Sequence, residues 1–279
     1  MAKFRAARLM SRQPRIFSIL ALSGLFVSAL AEAAPIEILA WNVTGRDINN
    51  NPTNENLAET IFNNEDADVL LLSETSRGSD EIADMLEDDY DLIVASDGQE
   101  IWLRDDPRFS VGNAYGEWTV PFDNRTQNGV WAIVNDSQSS EPLHLYNVHL
   151  PIPDTFGGRV DNDPTVSNED QQEGICNIIQ QMESDTSAGP VVIGGDFNDI
   201  NIPAGERIIE FLDGTGTLNA GFCSQTNIDM TEHAEVDVTH ILGTGNPQDY
   251  SNVVEVSASS VGFGQHGYVS VTVDLDDAQ

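Results

Sequence analysis

Residues 191–198 read VVIGGDFN, an apolar run that leads through two glycines into Asp196 and Asn198. A short apolar run bounded by turn residues is typical of a buried β-strand. Asp and Asn after a strand are ordinary turn formers, so by themselves they indicate no more than a loop. Ligands of α/β sheets, however, bind beyond the strand ends. The segment therefore predicts a buried strand that carries two polar side chains to the edge of a sheet.

Further predicted strands show the same arrangement of a buried run that ends in polar residues. The polar residues near their ends are Asn42, Glu74, Asn147 and His149, and His266 precedes the last strand. Because ligand crevices form beyond strand ends, these side chains are expected to converge.

The rest of the chain alternates short apolar runs with helical patterns. Helices are predicted at 54–64, from Ser79 as N-cap, at 168–184 and at 205–212, and strands at 36–43, 69–72, 92–95, 100–104, 129–134, 143–149, 191–193, 236–242, 253–257 and 268–274. Strands outnumber helices and many are apolar on both faces, which favours two sheets packed face to face with helices outside. No repeat or linker divides the sequence, so a single domain over 34–279 is expected.

The first 33 residues have the features of a secretory signal peptide. Five basic residues between Lys3 and Arg15 precede an apolar run over 16–30, and 31–33 read Ala-Glu-Ala. A basic segment, a short apolar segment and an A-x-A site are typical of a cleaved leader. The run is about 15 residues long, whereas a membrane span needs roughly 20. The protein is therefore predicted to be secreted or periplasmic, with no transmembrane segment, and a monomer is expected.

Charge is distributed unevenly along the chain. Of 12 basic and 46 acidic residues, five basic and one acidic lie in the first 33, so the remainder carries 7 Arg, no Lys and 45 acids, a net charge of −38. Such self-repulsion opposes folding unless salt screens it, which favours a halophilic type of acidic surface over one without functional meaning. Seven arginines cannot neutralise many phosphates, which weighs against a broad basic groove for nucleic acid.

The two cysteines, Cys176 and Cys223, lie outside the leader. An even number of cysteines in an exported chain favours a disulfide. A bond between them would close a loop of about 47 residues and contribute roughly 3–4 kcal/mol in the loop-entropy account. The sequence does not place the two Cα atoms within bridging distance, so pairing and free thiols both stay open.

The residue types at the strand ends form a chemically coherent set. The Glu74 carboxylate and the Asn42 amide oxygen suit a hard divalent cation, Mg²⁺ first, with Mn²⁺ or Ca²⁺ as alternatives. Asp196 can orient or deprotonate an attacking water. The two histidines, His149 and His266, can stabilise charge that develops on a phosphate or protonate a leaving group.

Five segments resemble signature motifs of the endonuclease/exonuclease/phosphatase superfamily. Residues 194–199 (GGDFND) resemble its GDFN signature, and 147–150 (NVHL) its N-V-H-L. Residues 41–43 (WNV) resemble its first-strand motif, 71–74 (LLSE) its LLQE, and 265–269 (QHGYV) its terminal SDHYPV. The segments follow the order of the family and span nearly all of the chain after the leader.

The resemblance implies an α/β fold of four layers, α/β/β/α, in which two mixed β-sheets pack face to face with helices outside, as in deoxyribonuclease I-like proteins. It also implies metal-dependent hydrolysis of a phosphate ester. Glu74 would bind the cation with help from Asn42, and Asp196 would align or activate the water. Asn198 would hold the phosphate, and the two histidines would stabilise the transition state.

Two positions depart from the family pattern. Gln265 stands where the family has an Asp before the last His, so it offers only a weak ligand for a second cation. Thr239 stands where the family has an Asp that orients this His, and Asp237, on the same strand face, is a nearby substitute. Asn147, Asp237 and Thr239 are therefore assigned supporting roles. Reduced or altered activity is expected, with loss of activity as the alternative.

Three kinds of function follow from these features. The first is an extracellular nuclease acting on DNA or RNA, because Arg46, Arg77, Arg125 and Arg159 lie in loops between predicted strands. The second is a phospholipase C or sphingomyelinase-like enzyme, or a phosphomonoesterase. A lipid substrate would require an exposed apolar hairpin, for which residues 118–122 (WTVPF) are the candidate. The third is a non-catalytic descendant of the fold that binds a partner, which the two departures favour.

Overall fold

The computed structural model describes residues 34–121, 126–150, 177–178, 180–182, 188–198, 212, 230–236, 239–244, 247–264 and 266–275. They belong to one compact unit, Glu32–Gln279. The predicted signal peptide and both cysteines of the predicted disulfide lie outside the described residues.

The first sheet has six strands arranged around a central parallel pair. In spatial order the strands are β11 (Tyr250–Val256), β12 (Tyr268–Val273), β1 (Ile36–Asn42), β2 (Val69–Ser73), β4 (Gln99–Arg104) and β3 (Tyr90–Ser96). β1 and β2 run parallel, with Ala40 opposite Leu71. Every other pairing in this sheet is antiparallel. The sheet is therefore mixed.

The second sheet also has six strands and one parallel pair. In spatial order the strands are β5 (Phe109–Pro121), β6 (Thr126–Asp136), β7 (Leu143–His149), β8 (Val191–Asp196), β10 (Thr239–Gly243) and β9 (Thr231–Val236). β7 and β8 run parallel, with His149 opposite Asp196 at their ends. The parallel register places the carboxyl ends of both strands at one edge of the sheet.

The main hydrophobic core lies between the two sheets. Strand residues alternate between the two faces, and one face of each sheet contributes to this core. Its buried members from the first sheet include Ile38, Ala40 and Leu71, and those from the second include Val130, Leu145, Val192 and Ile241. Each fully buried Val, Leu or Ile contributes roughly 1.5–3 kcal/mol of transfer free energy, so this layer fixes how the sheets stack.

Helices cover the outer faces of both sheets. The helices described in full are α1 (Gly45–Ile48), α2 (Pro52–Glu65), α3 (Ser79–Leu86) and a short helix at Ala258–Val261, with 3₁₀ turns at Thr75–Arg77 and Pro247–Asp249. Phe62 of α2 and Ile82 of α3 pack on Trp41 and Leu70 of the first sheet. Helical residues Ile178, Met182 and Leu212 pack on the outer face of the second. The α/β/β/α sandwich is thus confirmed.

Some details differ from the sequence-based expectations. The spacing of Leu57, Ala58, Ile61 and Phe62 predicts one apolar face for α2, whereas Leu57 is 37% exposed. The helix packs on the sheet through Ala58 and Phe62, and Ile61 is partly buried. Ser79 is the first residue of α3, and Gly78 is its N-cap. β5 was not predicted, because glycine and polar residues interrupt its alternation.

Among the described residues, no helix combines the length and the apolar character needed to cross a bilayer.

Candidate active site

The ends of the two parallel strand pairs meet across the interface between the sheets. Asn42 is the last residue of β1, and Asp196 is the last residue of β8. The Asn42 Nδ2 donates a hydrogen bond to Asp196 Oδ2 at 2.7 Å, and both side chains are buried. Two residues that are 154 positions apart in the chain therefore form one site at a common edge.

Asp196 has both carboxylate oxygens engaged. The Asn198 backbone N–H donates to Oδ1 at 2.9 Å, and the Asn42 amide donates to Oδ2. Hydrogen bonds to the ionised carboxylate offset the cost of burying its charge. Gly195, just before it, has φ of +132°, and an added Cβ would lie 2.0 Å from Val148 O. The strand end can therefore approach β7 this closely only with glycine at that position.

Two imidazoles flank the same carboxylate oxygen. His149 Nε2 lies 3.9 Å from Asp196 Oδ2, and His266 Nδ1 lies 3.7 Å from it. Both histidine side chains are mostly buried, with 17% and 18% of their surface exposed. The carboxylate is thus placed between two groups that can carry or deliver a proton.

Glu74 lies on the open side of His149. Its Oε1 is 3.7 Å from His149 Nε2, and 38% of its side chain is exposed. Its backbone has the left-handed φ of +57°, which turns the chain sharply between β2 and the 3₁₀ turn. Glu74 is therefore the solvent-facing carboxylate of the site, whereas Asp196 is the buried one.

Asn198 has a left-handed backbone with φ of +48°, a conformation that Asn adopts more readily than most residues. Its Nδ2 donates to Leu150 O at 2.5 Å, which ties the loop after β8 to the end of β7. Among the described residues, its second amide hydrogen and its amide oxygen have no partner and can contact a substrate.

Asn147 connects the sheets and does not reach the edge. Its Nδ2 donates to Leu72 O at 2.7 Å and to Glu100 O at 3.0 Å, so both amide hydrogens bind the first sheet. Its Oδ1 is buried without a hydrogen-bond partner among the described residues. Asn147 is thus a positioning residue that holds β7 against β2 and β4.

Thr239 is opposite Asp196 in the β8–β10 pairing and is fully buried. Its Oγ1 donates a weak hydrogen bond of 3.4 Å to the backbone oxygen of Gly267, the residue after His266. Thr239 therefore contacts the backbone that carries His266. Asp237 and Gln265 lie outside the described residues.

The donor groups at this edge fit a hard divalent cation. Glu74 offers an exposed carboxylate, and such oxygens are the usual ligands of Mg²⁺ and Ca²⁺. Asn42 Oδ1 already accepts a hydrogen bond from Thr44 N at 3.1 Å, which leaves it one free lone pair. Glu74 is therefore the principal ligand that this edge provides, and Asn42 is a secondary one.

A second group of ligand atoms lies away from this edge. One atom each of Glu232, Glu235 and His240 lies within 4.8 Å of the others. His240 follows Thr239 on β10, so it points to the opposite face of the sheet, where it packs on Phe197. The group is thus separate from Asp196.

Glu100 is a buried carboxylate that the sequence analysis did not assign to the site. Its Oε2 accepts a hydrogen bond from Trp102 Nε1 at 2.7 Å, and burial raises its pKa. Glu100 lies in β4, opposite Leu72 of β2, and β2 is the strand that leads to Glu74. A glutamate directly before the apolar run at 101–103 was the signal that could have revealed it.

A sequence model of the Endonuclease/Exonuclease/phosphatase family matches residues 39–227, more than half of the chain. The chain therefore belongs to this family, which confirms the resemblance carried by its motifs. Members of the family are hydrolases of phosphate esters and generally use a divalent metal. No sequence among the curated proteins matches the chain.

Solved structures confirm the deoxyribonuclease I-like fold. An endonuclease/exonuclease/phosphatase from Bacteroides vulgatus has a TM-score of 0.62 at 13% identity, over 87% of this chain and 99% of that one. D. rerio TDP2 in complex with a single-strand DNA product has 0.60 at 15%, over 86% and 98%. The human Nocturnin catalytic domain with a bound sulfate anion has 0.56 at 14%, over 85% and 93%. At such identities the likeness concerns the fold alone.

Proposed function

We propose that the protein is an exported, metal-dependent phosphodiesterase that cleaves nucleic acid, DNA or RNA. The observation that carries the proposal is the buried Asp196 carboxylate with two imidazoles within 4 Å of one oxygen, at 3.9 and 3.7 Å. A carboxylate with paired histidines can activate water and protonate a leaving group within one site. Family membership makes a phosphate ester the bond under attack.

The reaction begins with a water held by Asp196. Asn42 and the backbone of Asn198 fix the carboxylate, so its remaining lone pairs have set directions. The water gives a proton to Asp196, and the water oxygen forms the new bond to phosphorus. The ester oxygen leaves with a proton donated by one of the flanking histidines. Proton transfer by positioned groups of this kind is worth about 10²–10⁴ in rate.

The remaining side chains bind the phosphate. Asn198 keeps one amide hydrogen for a phosphoryl oxygen, and the second histidine stabilises the charge that develops on the phosphate. A divalent cation bound at Glu74, with Asn42 as secondary ligand, would supply electrostatic stabilisation of the phosphate. Mg²⁺ is the preferred ion, because carboxylate and amide oxygens are hard ligands.

Nucleic acid is preferred over lipid as the substrate for two reasons. The candidate membrane segment lies at the end of the β5–β6 hairpin, but its one described side chain does not project outward: Trp118 packs on Tyr146, with ring centroids 5.3 Å apart. Arg46 and Arg77, in contrast, line one cavity formed by the segments that follow β1 and Glu74, while Arg125 and Arg159 lie outside the described residues. D. rerio TDP2, which shares the fold, was solved with a single-strand DNA product.

Export and a monomeric state complete the proposal. The leader at 1–33 supports secretion or a periplasmic location. A disulfide between Cys176 and Cys223 would suit that compartment. N-terminal sequencing of the protein from culture supernatant, with a thiol count, tests both. An intact leader or two free thiols would contradict them.

The activity is tested by hydrolysis of plasmid DNA, RNA, bis(p-nitrophenyl) phosphate and sphingomyelin by residues 34–279. Mg²⁺, Mn²⁺ and Ca²⁺ are compared, with EDTA as control. We expect cleavage of the nucleic acids and the synthetic diester, lost with EDTA. Cleavage of sphingomyelin alone would favour the lipid enzyme. No hydrolysis by folded protein at any salt concentration would favour a non-catalytic descendant.

A further inference from the structure

A polar cavity of about 600 Å³ is lined by residues that follow β1 and by residues that follow Glu74 in the chain. Arg46 and Arg77 line it together with the amides of Asn49 and Asn50 and the hydroxyls of Ser76 and Ser79. In a chain whose net charge is −34, two arginines in one cavity are a notable concentration of positive charge.

These two arginines lack the partners that the other described arginines have. Arg104 lies 2.7 Å from Asp66, and Arg108 lies 2.5 Å from Asp136. Arg46 pairs with Asp47 at a longer distance of 3.6 Å, and its side chain is largely exposed. An ion pair of this kind contributes little to stability. Arg77 forms no ion pair within the described part of the chain. Among the described residues, the Arg77 guanidinium therefore has no acidic partner and that of Arg46 has only this exposed one.

The cavity is held against the candidate active site by backbone contacts. Gly45 N donates to Glu74 O at 2.9 Å, directly before Arg46. Gly78 follows Arg77, and an added Cβ there would lie 2.6 Å from Gly45 O. Only glycine permits this approach, so α1 and the 3₁₀ turn after Glu74 can pack closely together. Each of these two elements carries one of the arginines.

Two acids, Asp80 and Glu81, also line the cavity. Asp80 and Glu81 occupy the first turn of α3, where the helix dipole favours negative charge. Glu81 Oε1 also accepts a hydrogen bond from Asn50 N at 3.2 Å. Neither acid forms an ion pair with Arg46 or Arg77 among the described residues.

We propose that this cavity binds a second phosphate of the substrate, the one that neighbours the scissile phosphate along a nucleic-acid strand. Guanidinium groups bind phosphate oxygens in a bidentate manner. The inference rests on the proposed function and narrows it: the preferred substrate carries at least two phosphates in sequence, whereas a simple diester fills only half of the site.

The test compares a dinucleotide that has one phosphodiester with the same dinucleotide bearing a terminal phosphate, at the 5′ or the 3′ end. We expect kcat/KM to be higher for one of the two phosphorylated forms, mainly through KM. Arg46→Gln and Arg77→Gln should each lower that preference about tenfold, as loss of a charge-assisted hydrogen bond does. Arg46→Lys should restore part of it.

The matched control is Arg104→Gln, which removes a remote, ion-paired arginine and should keep the preference intact. Equal rates on all three dinucleotides, or a preference unchanged in both cavity variants, would overturn the inference while leaving the hydrolase proposal standing. If the protein hydrolyses nothing, binding of fluorescent dinucleotides decides. Binding that depends on the terminal phosphate and that Arg77→Gln weakens would support the phosphate site even without catalysis. Equal binding of the dinucleotides with and without the terminal phosphate would refute it.

Discussion

Asp196 is the residue around which the site is organised. Its carboxylate is buried, accepts hydrogen bonds from Asn42 and Asn198, and lies between His149 and His266. A buried carboxylate is costly unless such partners satisfy it. The partners come from two strands and two loops, so the whole edge of the sandwich contributes to placing one carboxylate.

Asn147 is expected to stabilise the contact between the two sheets. Asn147→Ala removes hydrogen bonds to Leu72 O and Glu100 O inside the core. We expect a loss of about 2–4 kcal/mol in the free energy of unfolding, because two buried acceptors lose their donor. Urea denaturation followed by circular dichroism measures it.

The control for this substitution is Asn56→Ala. Asn56 donates to Pro52 O on the exposed surface of α2, and its replacement should change stability by about 0.5 kcal/mol or less. Equal effects of the two substitutions would mean that Asn147 does not join the sheets.

At the scale of elements, the strands with clear apolar runs could be predicted from sequence. β1, β2, β7 and β8 follow this rule, and the polar residues at their ends gave the candidate site. β5 (Phe109–Pro121) escaped because Gly112, Gly116 and polar residues break its pattern. Its strand character comes from pairing with β6, a tertiary effect that local sequence does not encode.

The contacts within the site could be predicted only in part. Family motifs indicated which residues gather at the edge. They did not indicate that Asn147 turns both amide hydrogens to the first sheet or that Arg46 and Arg77 share a cavity. Such facts depend on how two sheets stack, and residues distant in sequence decide that stacking.

The edge strand β9 carries a pH-dependent element. Burial lowers the pKa of His233 to about 4 from its ordinary 6.5, and its ring stacks on Tyr250 at 3.5 Å. Below pH 6.5 the unfolded chain takes up a proton that the folded chain does not, so stability falls as the pH drops from 6.5 to about 4. His233→Gln should remove about 1–2 kcal/mol of that fall, allowing for solvent screening.

Urea denaturation at pH 7 and at pH 4.5 gives the fall in unfolding free energy for each protein. The effect of His233 is the fall in the unmodified protein minus the fall in His233→Gln. Thr231→Val, on the same strand, is the control and should keep the pH dependence of the unmodified protein. An identical fall in stability for His233→Gln would show that this histidine does not titrate in the window.

At the scale of the whole molecule, charge is the dominant feature. Beyond residue 33 the chain carries 45 acids against 7 arginines. Self-repulsion of this size is reduced when ions screen it, since the screening length falls to about 3 Å in 1 M salt. We expect the melting temperature to rise by about 5 °C or more between about 0.1 and 2 M NaCl.

Sucrose at equal osmolality separates screening from solvent exclusion and should raise the melting temperature less. A melting temperature that stays constant or falls with NaCl would show that the acidic surface is not an adaptation to salt.

We expect Asp196, His149 and His266 to act as one hydrolytic centre. The most direct measurement is the rate of bis(p-nitrophenyl) phosphate hydrolysis, with Mg²⁺, by Asp196→Asn, His149→Gln and His266→Gln against the remote control His233→Gln. We predict losses of about 10²-fold or more for each of the three and little change for the control. Hydrolysis within a few-fold of the unmodified rate in folded Asp196→Asn protein would contradict the account.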